Sequence, residues 1–258
     1  MGRAPGARVP KVPAVIPHRG RAALAAALLL LAGAARAQLP ERPKAGRGAP
    51  IAYLAMGDST AVGVGGGAGG GYPQRLARRL EASGVPVKLA VVAASGATIA
   101  DLRRDQLPEV MAKRPALVTI GVGINDLMQG RKLADFARDL EVVADLVRRT
   151  KATVVLQTLP DLTFSPAGHG APPSLGRRLE AYNATIARVA ERHGFVLSDV
   201  YGKSRRAFRD RQAELFAKDG FHPSSAGYEV WTEALWPDVE RAVVAPRVQA
   251  RTPAAGER

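Results

Sequence analysis

Apolar residues along this chain fall into two kinds of run. Five are short and almost unbroken, over residues 51–56, 87–92, 116–122, 153–158 and 195–200. They are too short for helices and are bounded by Gly, Pro or polar residues, which predicts strands. The third is apolar at nearly every position, as a central strand of a parallel sheet must be. Elsewhere the apolar positions recur every third or fourth residue. Leu76, Ala77 and Leu80 stripe a helix over 72–83; Leu133, Phe136, Ala137, Leu140, Val143, Ala144 and Val147 stripe a second; Leu179, Tyr182, Ile186 and Val189 stripe a third over 175–193. A last helix carries Trp231, Leu235 and Trp236. Strand and helix thus alternate five times, and the rules of chain connection turn that alternation into a parallel sheet with right-handed crossovers and helices on both faces.

Polar residues cluster where these strands end. The first runs into Gly57-Asp58-Ser59-Thr60, the second into Ala94-Ser95-Gly96-Ala97, and the third into Gly123-Ile124-Asn125-Asp126. Thr98 and Asp101 form an N-capping pair for the helix after the second strand. A long loop with Gly and Pro spans 161–173, and Asp219-Gly220-Phe221-His222-Pro223 precedes the last helix, capped by Ser224 or Ser225. In open α/β sheets ligands bind at the carboxyl ends of the strands. Ser59, Gly96 and Asn125 all fall at that edge.

Composition adds a leader. Arg3, Arg8, Lys11, Arg19 and Arg21 precede an apolar run from Ala22 to Ala35, and Ala35-Arg36-Ala37 supplies a small-x-small cleavage pattern. The run is shorter than the roughly 20 apolar residues that span a bilayer. Residues 1–37 are therefore expected to be a signal peptide, cut near Ala37, that sends the protein out of the cytoplasm, to the periplasm or beyond; the long basic region leaves an uncleaved anchor as the alternative. A polar linker over 38–49, a domain over 50–244 and a disordered tail over 245–258 complete the expected layout. The 258 residues are 47% hydrophobic, enough for a full core.

Without the leader, 31 basic residues face 23 acidic ones and the formal charge drops from +14 to +8. The remaining arginines are interleaved with acids and form no aromatic-basic cluster, which speaks against a nucleic-acid partner. With no cysteine, the fold uses neither a disulfide nor a thiolate metal site, and no other spacing suggests a metal. The glycine-rich run 63–71 contains a G-x-G-x-x-G match at Gly65, Gly67 and Gly70. It starts well past the strand end, and the next strand ends in Ala93 and Ala94 where a ribose-binding acid belongs, so it reads as a mobile loop beside the site. Gly202-Lys203-Ser204 has Leu197 where a phosphate loop needs its first glycine. No cofactor is implied.

The strand-end residues carry acyl-transfer chemistry. A serine hydroxyl needs a base to take its proton, and a histidine serves best when a carboxylate fixes its tautomer and stabilises its cation. Asp219 and His222, three apart on one turn, can bond to each other and leave the second imidazole nitrogen for Ser59. A developing oxyanion needs donors, and the amides of Ser59 and Gly96 with the side-chain amide of Asn125 have the right chemistry.

Gly57-Asp58-Ser59, Gly96, Gly123-Ile124-Asn125-Asp126 and Asp219-Gly220-Phe221-His222-Pro223 resemble, in order and spacing, the blocks of the GDSL or SGNH hydrolase superfamily, and they cover the chain from Tyr53 to about Val243. The resemblance implies a three-layer α/β/α, flavodoxin-like fold with a five-stranded parallel sheet. It implies a carboxylic-ester hydrolase, an esterase or lipase, with Ser59 as nucleophile, His222 as base, Asp219 as its partner and Ser59, Gly96 and Asn125 as the oxyanion hole. Its substrate would be a small ester, a lipid or an acylated sugar. An acyltransferase acting on an alcohol acceptor and a non-catalytic envelope binding protein share the same fold and stand as alternatives. Thr60 departs from the leucine that names the motif, and Val91 stands where many members carry asparagine five residues before the glycine. Among the remaining polar residues, Asp58 reads as a hydrogen-bonding brace of the corner, Asp126 as a helix cap, His193 as a helix C-terminal residue and His169 as a solvated loop residue.

Overall fold

The computed structural model describes residues 48–168 and 172–247. The expected signal peptide and His169 lie outside the described residues, as do most of the linker and tail. Five strands appear where the apolar runs predict them: β1 (Ile51–Gly57), β2 (Val87–Val91), β3 (Leu117–Gly121), β4 (Thr153–Gln157) and β5 (Val196–Ser198). They form one sheet in the order β2-β1-β3-β4-β5, and every pairing is parallel. All of β3 is buried, whereas β2 and β5 are edge strands with partly exposed positions. Burial on both faces is why the inner strands read as continuous apolar runs.

The helices follow in chain order. A short α1 (Ser59–Val62) and then α2 (Tyr72–Ala82) follow β1, and α3 (Ile99–Asp101) follows β2. A π-helical segment (Leu102–Gln106) joins α3 to α4 (Leu107–Lys113). Beyond β3 come α5 (Ile124–Met128) and α6 (Leu133–Arg149), and beyond β4 comes α7 (Ser174–His193). After β5 the chain forms α8 (Val200–Asp210), α9 (Gln212–Leu215) and α10 (Ser225–Val239). Helices α2, α8 and α10 pack together on one face, and α4, α6 and α7 on the other. The outcome is the expected three-layer arrangement. Residues 245–247 carry the last helical stretch on beyond 244, with Arg247 donating to the Val243 carbonyl at 2.8 Å.

Aromatic contacts tie each helical layer together. On one face Tyr72 of α2 stacks on Trp231 of α10, with ring centroids 6.2 Å apart and planes 7° from parallel. On the other, Phe136 of α6 and Tyr182 of α7 stack at 4.5 Å. Helices α8 and α9 were not anticipated. Buried α8 positions are only Val200, Ser204 and Phe208, a thin stripe in an otherwise charged segment, and its start is marked by Asp199 accepting from the Gly202 amide at 3.0 Å.

Strand order fixes where a ligand site can form. From β1 the chain moves outward to β2, then crosses back to the other side of β1 to make β3. The crevice at such a switch, outside the carboxyl ends of the two strands, is left open by helices that depart to opposite faces. Ser59 leaves β1 and Asn125 leaves β3 at this crevice.

Candidate active site

Ser59 is positioned by a sharp corner whose local causes are visible residue by residue. Gly57 has φ +156°, and a Cβ there would stand 2.5 Å from the Gly121 carbonyl oxygen on β3, so only glycine lets the two strands close at this point. Asp58 then caps α1: its Oδ1 accepts from the Thr60 amide at 2.9 Å and from the Thr60 hydroxyl at 2.8 Å. Thr60, the departure from the leucine of the motif, thus spends its hydroxyl on fixing the preceding carboxylate. Asp58 is the brace expected from the sequence. Burial raises its pKa from 3.8 to about 6, against the opposing effect of the two Thr60 bonds and the charge of His222.

A second brace escaped the sequence reading. The Gln106 side chain, buried and at the end of the π-helical segment, holds Gly57 on both sides, accepting from its amide and donating to its carbonyl, each at 2.8 Å. Its partner lies 49 residues away, and nothing local in the sequence marks it.

His222 and Asp219 come from the turn before α10. Gly220, at φ +68°, lets the chain double back so that the Ala217 amide bonds the His222 carbonyl at 2.8 Å. Asp219 Oδ1 accepts from the amides of Phe221 and His222 at 2.9 and 3.0 Å, which leaves Oδ2 for the imidazole Nδ1 at 2.6 Å. His222 Nε2 lies 2.9 Å from Ser59 Oγ. Burial pushes the Asp219 carboxyl up, but the bonds from His222 and the two amides outweigh it and its pKa is lowered. The carboxylate is therefore charged where it faces the imidazole.

Gly96 and Asn125 meet at the same edge. The Ala94 amide donates to the Gly57 carbonyl at 3.3 Å, which seats the turn after β2 beside the serine corner. Gly96 needs its glycine for backbone shape, at φ +80°, and not for space. Asn125 Nδ2 donates to the Ala97 carbonyl at 2.9 Å, so one of its two amide protons ties the Gly96 turn to α5 and the other is left for a ligand. This bond braces the turn in a chain that has Val91 at the alternative bracing position. Among the described residues, the amides of Ser59 and Gly96 have no protein acceptor. All five residues singled out from the sequence thus gather at one rim.

Other expectations need revising. Asp126 does not cap its own helix: its Oδ2 accepts from the Ile99 amide at 2.9 Å, the first turn of α3, and its Oδ1 lies 3.5 Å from Arg131. Burial raises its pKa, with the Ile99 amide and Arg131 opposing. The run 63–71 is a packed corner in place of a mobile loop. Arg75 donates to the carbonyls of Gly66 and Gly70, Arg78 to that of Gly69, and Tyr228 to that of Val64, while Gly65 presses on Pro223 and His222. Its glycines serve this close approach. His193 sits at the end of α7 as expected, 2.8 Å from Glu141.

An apolar pocket of about 20 Å³ opens beside His222, walled by Ile124, Leu162, Phe208, Phe216, Phe221 and Trp231. No helix among the described residues is long and apolar enough to cross a membrane.

Known proteins resemble this chain in sequence and in fold. A family model described as "GDSL-like Lipase/Acylhydrolase family" matches residues 55–230, which include Ser59, Gly96, Asn125, Asp219 and His222. Esterase TesA of Pseudomonas aeruginosa is 28% identical over 190 residues, covering 72% of this chain and 87% of that protein. An acetylxylan esterase of Geobacillus stearothermophilus is 26% identical over 148 residues, covering 55% of this chain and 67% of that protein. The crystal structure of a TesA superposes with a TM-score of 0.62 at 24% identity, covering 74% of this chain and 99% of that one, and shares the fold.

Proposed function

The chain belongs to the GDSL-like lipase/acylhydrolase family and is a carboxylic-ester hydrolase, and from that premise we propose that it is an exported serine esterase working through an acyl-enzyme on Ser59. The observation that carries this reading is the unbroken hydrogen-bond chain from Asp219 Oδ2 to His222 Nδ1, at 2.6 Å, and from His222 Nε2 to Ser59 Oγ, at 2.9 Å.

His222 takes the Ser59 proton as Oγ attacks the ester carbonyl, and Asp219 holds the ring in the tautomer that leaves Nε2 free and then faces the imidazolium. The carbonyl oxygen becomes an oxyanion that receives the amides of Ser59 and Gly96 and the spare proton of Asn125 Nδ2. Collapse of this intermediate expels the alcohol, which takes its proton from His222. Water then repeats the sequence on the acyl-enzyme and releases the acid. No step calls for a cofactor. Export rests on the basic-apolar leader of residues 1–37, and intact mass of the protein recovered outside the cytoplasm, ending near Ala37, is its check. One relative is named for acetylxylan, which supports an acylated sugar as one candidate among small esters.

Ser59→Ala and His222→Ala are the test. Each should lower kcat on an activated aryl ester by at least about 10⁴-fold with the protein still folded by circular dichroism. Wild-type turnover in either variant contradicts the assignment.

A further inference from the structure

Ser59 and His222 are joined by a short stretch of backbone as well as by their hydrogen bond. The amides of Gly63 and Val64 both donate to the Ser59 carbonyl, at 2.9 and 3.0 Å, so the glycine corner begins on the nucleophile itself. Gly65, at φ +85°, lies against the base: a Cβ there would stand 2.5 Å from the Pro223 carbonyl oxygen and 3.3 Å from His222 Cβ. Gly63, Val64 and Gly65 therefore form a spacer whose position governs how far the imidazole stands from Oγ. Glycine backbone has the most conformational freedom of any residue. A spacer built from it needs a clamp from outside.

Arg75 supplies that clamp. It projects from α2 with its side chain only 4% exposed, and its guanidinium reaches both the corner and the helix into which His222 leads. Nε donates to the Gly70 carbonyl and Nη2 to the Gly66 carbonyl, each at 3.3 Å. Nη2 also donates to Ser225 Oγ at 2.9 Å, and Nη1 pairs with Glu229 on α10. Tyr228 of the same helix adds a second tie, donating to the Val64 carbonyl at 2.9 Å. Ser59 is held from its own side by the Asp58 cap and by Gln106 on Gly57, whereas the His222 turn leans on the corner. We infer that Arg75 is a positioning residue for the reaction, setting the separation of His222 from Ser59 through the glycine corner without touching substrate; the inference rests on the Ser59–His222 reading and extends it.

The guanidinium suits this task because its N–H donors lie in a fixed planar fork, here spread over acceptors on two separate elements. The consequence for rate follows from distance. A general base works within about 2.6–3.2 Å of the group whose proton it takes, and a misplacement of ~1 Å costs on the order of 10²-fold. His222 Nε2 stands 2.9 Å from Ser59 Oγ, so a small drift of the corner carries it out of reach. Arg75 also ties α2 to α10, and its loss lowers stability whatever it does for His222. Kinetics in a background without the base separate the two roles.

The experiment measures kcat and KM on p-nitrophenyl acetate for the full chain and for Arg75→Met, then repeats the substitution in His222→Ala and in Asn125→Ala. Arg75→Met keeps the length of the stem and strands no buried charge, since Glu229 is 50% exposed. It should lower kcat by about 10- to 100-fold with KM changed by less than about threefold. In His222→Ala the same substitution should change the residual single-turnover rate by less than about threefold, because no base is left to misplace, whereas in Asn125→Ala it should keep its full effect. Melting curves report folding, and Gly65→Ala serves where Arg75→Met does not fold. That position is exposed, the added Cβ forces the corner away from Pro223 and His222, and kcat should fall by about tenfold or more with the same loss of effect in His222→Ala. Wild-type kcat in the folded variant, or an effect that persists undiminished in His222→Ala, would overturn the assignment and leave Arg75 as a tie between helices, with the esterase intact. A His222→Ala protein as active as wild type would instead overturn the base itself, and this inference with it.

Discussion

Replacing Asp58 with Asn tests whether the corner that carries Ser59 hides a buried charge. Asp58 is 1% exposed; its Oδ1 is satisfied by Thr60, and its Oδ2 is buried with no hydrogen-bond partner among the described residues. Burial raises its pKa from 3.8 to about 6, Asp126 adds to the rise, and Thr60 and His222 oppose it. Tyr72 and Tyr228 also face it, and its charge helps to hold both phenols protonated. Because the folded-state value lies above the unfolded one, the folded chain binds the proton more tightly. The resulting stabilisation is complete below pH 3.8, fades as the pH rises toward 6, and is gone above it. At ~1.4 kcal/mol per pKa unit the rise amounts to about 3 kcal/mol. Asn keeps the Oδ1 acceptor and does not titrate, so every pH-independent consequence of the substitution cancels when the two proteins are compared across pH. Urea denaturation of wild type and Asp58→Asn at pH 4 and pH 7 is the assay. The stability of wild type relative to the variant should fall by about 2 kcal/mol between the two pH values, because at pH 4 the stabilisation has already begun to fade. A difference that stays constant to within about 0.5 kcal/mol would show that Asp58 is not held as a buried acid and would refute the reasoning.

Two further outcomes follow from the same geometry. Gln106→Met keeps the volume but leaves the buried Gly57 amide without its 2.8 Å partner, while the Gly57 carbonyl retains Ala94; unfolding free energy should fall by about 1–3 kcal/mol, and kcat should fall by about tenfold with KM little changed because the serine corner shifts. An unchanged melting curve and kcat would remove Gln106 as a brace. Asn125→Ala should lower kcat by about 10² to 10³ through loss of one oxyanion donor, and steady-state kinetics showing wild-type kcat would count against that role.

Much of this site was legible because polar residues interrupt apolar runs at strand ends. Ser59, Gly96 and Asn125 each stand within a few residues of a strand's carboxyl end, and Asp219 and His222 share one turn, so both the edge and the partnership could be read locally. What stayed hidden depends on contacts between distant segments. Gln106 reaches Gly57 across 49 residues from a π-helical turn that has no sequence signature, and Asp126 bonds Ile99 across 27 residues when its own helix offers a local alternative. The glycines of 63–71 carry no side chains whose polarity could announce packing, and only the arginine and tyrosine donors that reach their carbonyls reveal it. Helix α8 was missed because its inward stripe includes Ser204, whose hydroxyl is satisfied by the Val200 carbonyl at 2.6 Å, so burial there needs no apolar residue.

The central claim is that Ser59 alone becomes the covalent centre because His222 stands 2.9 Å from its hydroxyl. Treating the protein with a fluorophosphonate ester and mapping the modified peptide by mass spectrometry tests it directly. One phosphonyl group on Ser59 is the predicted result, absent in Ser59→Ala and strongly slowed in His222→Ala. Rapid labelling of a different residue, or of none while ester hydrolysis proceeds, would contradict it.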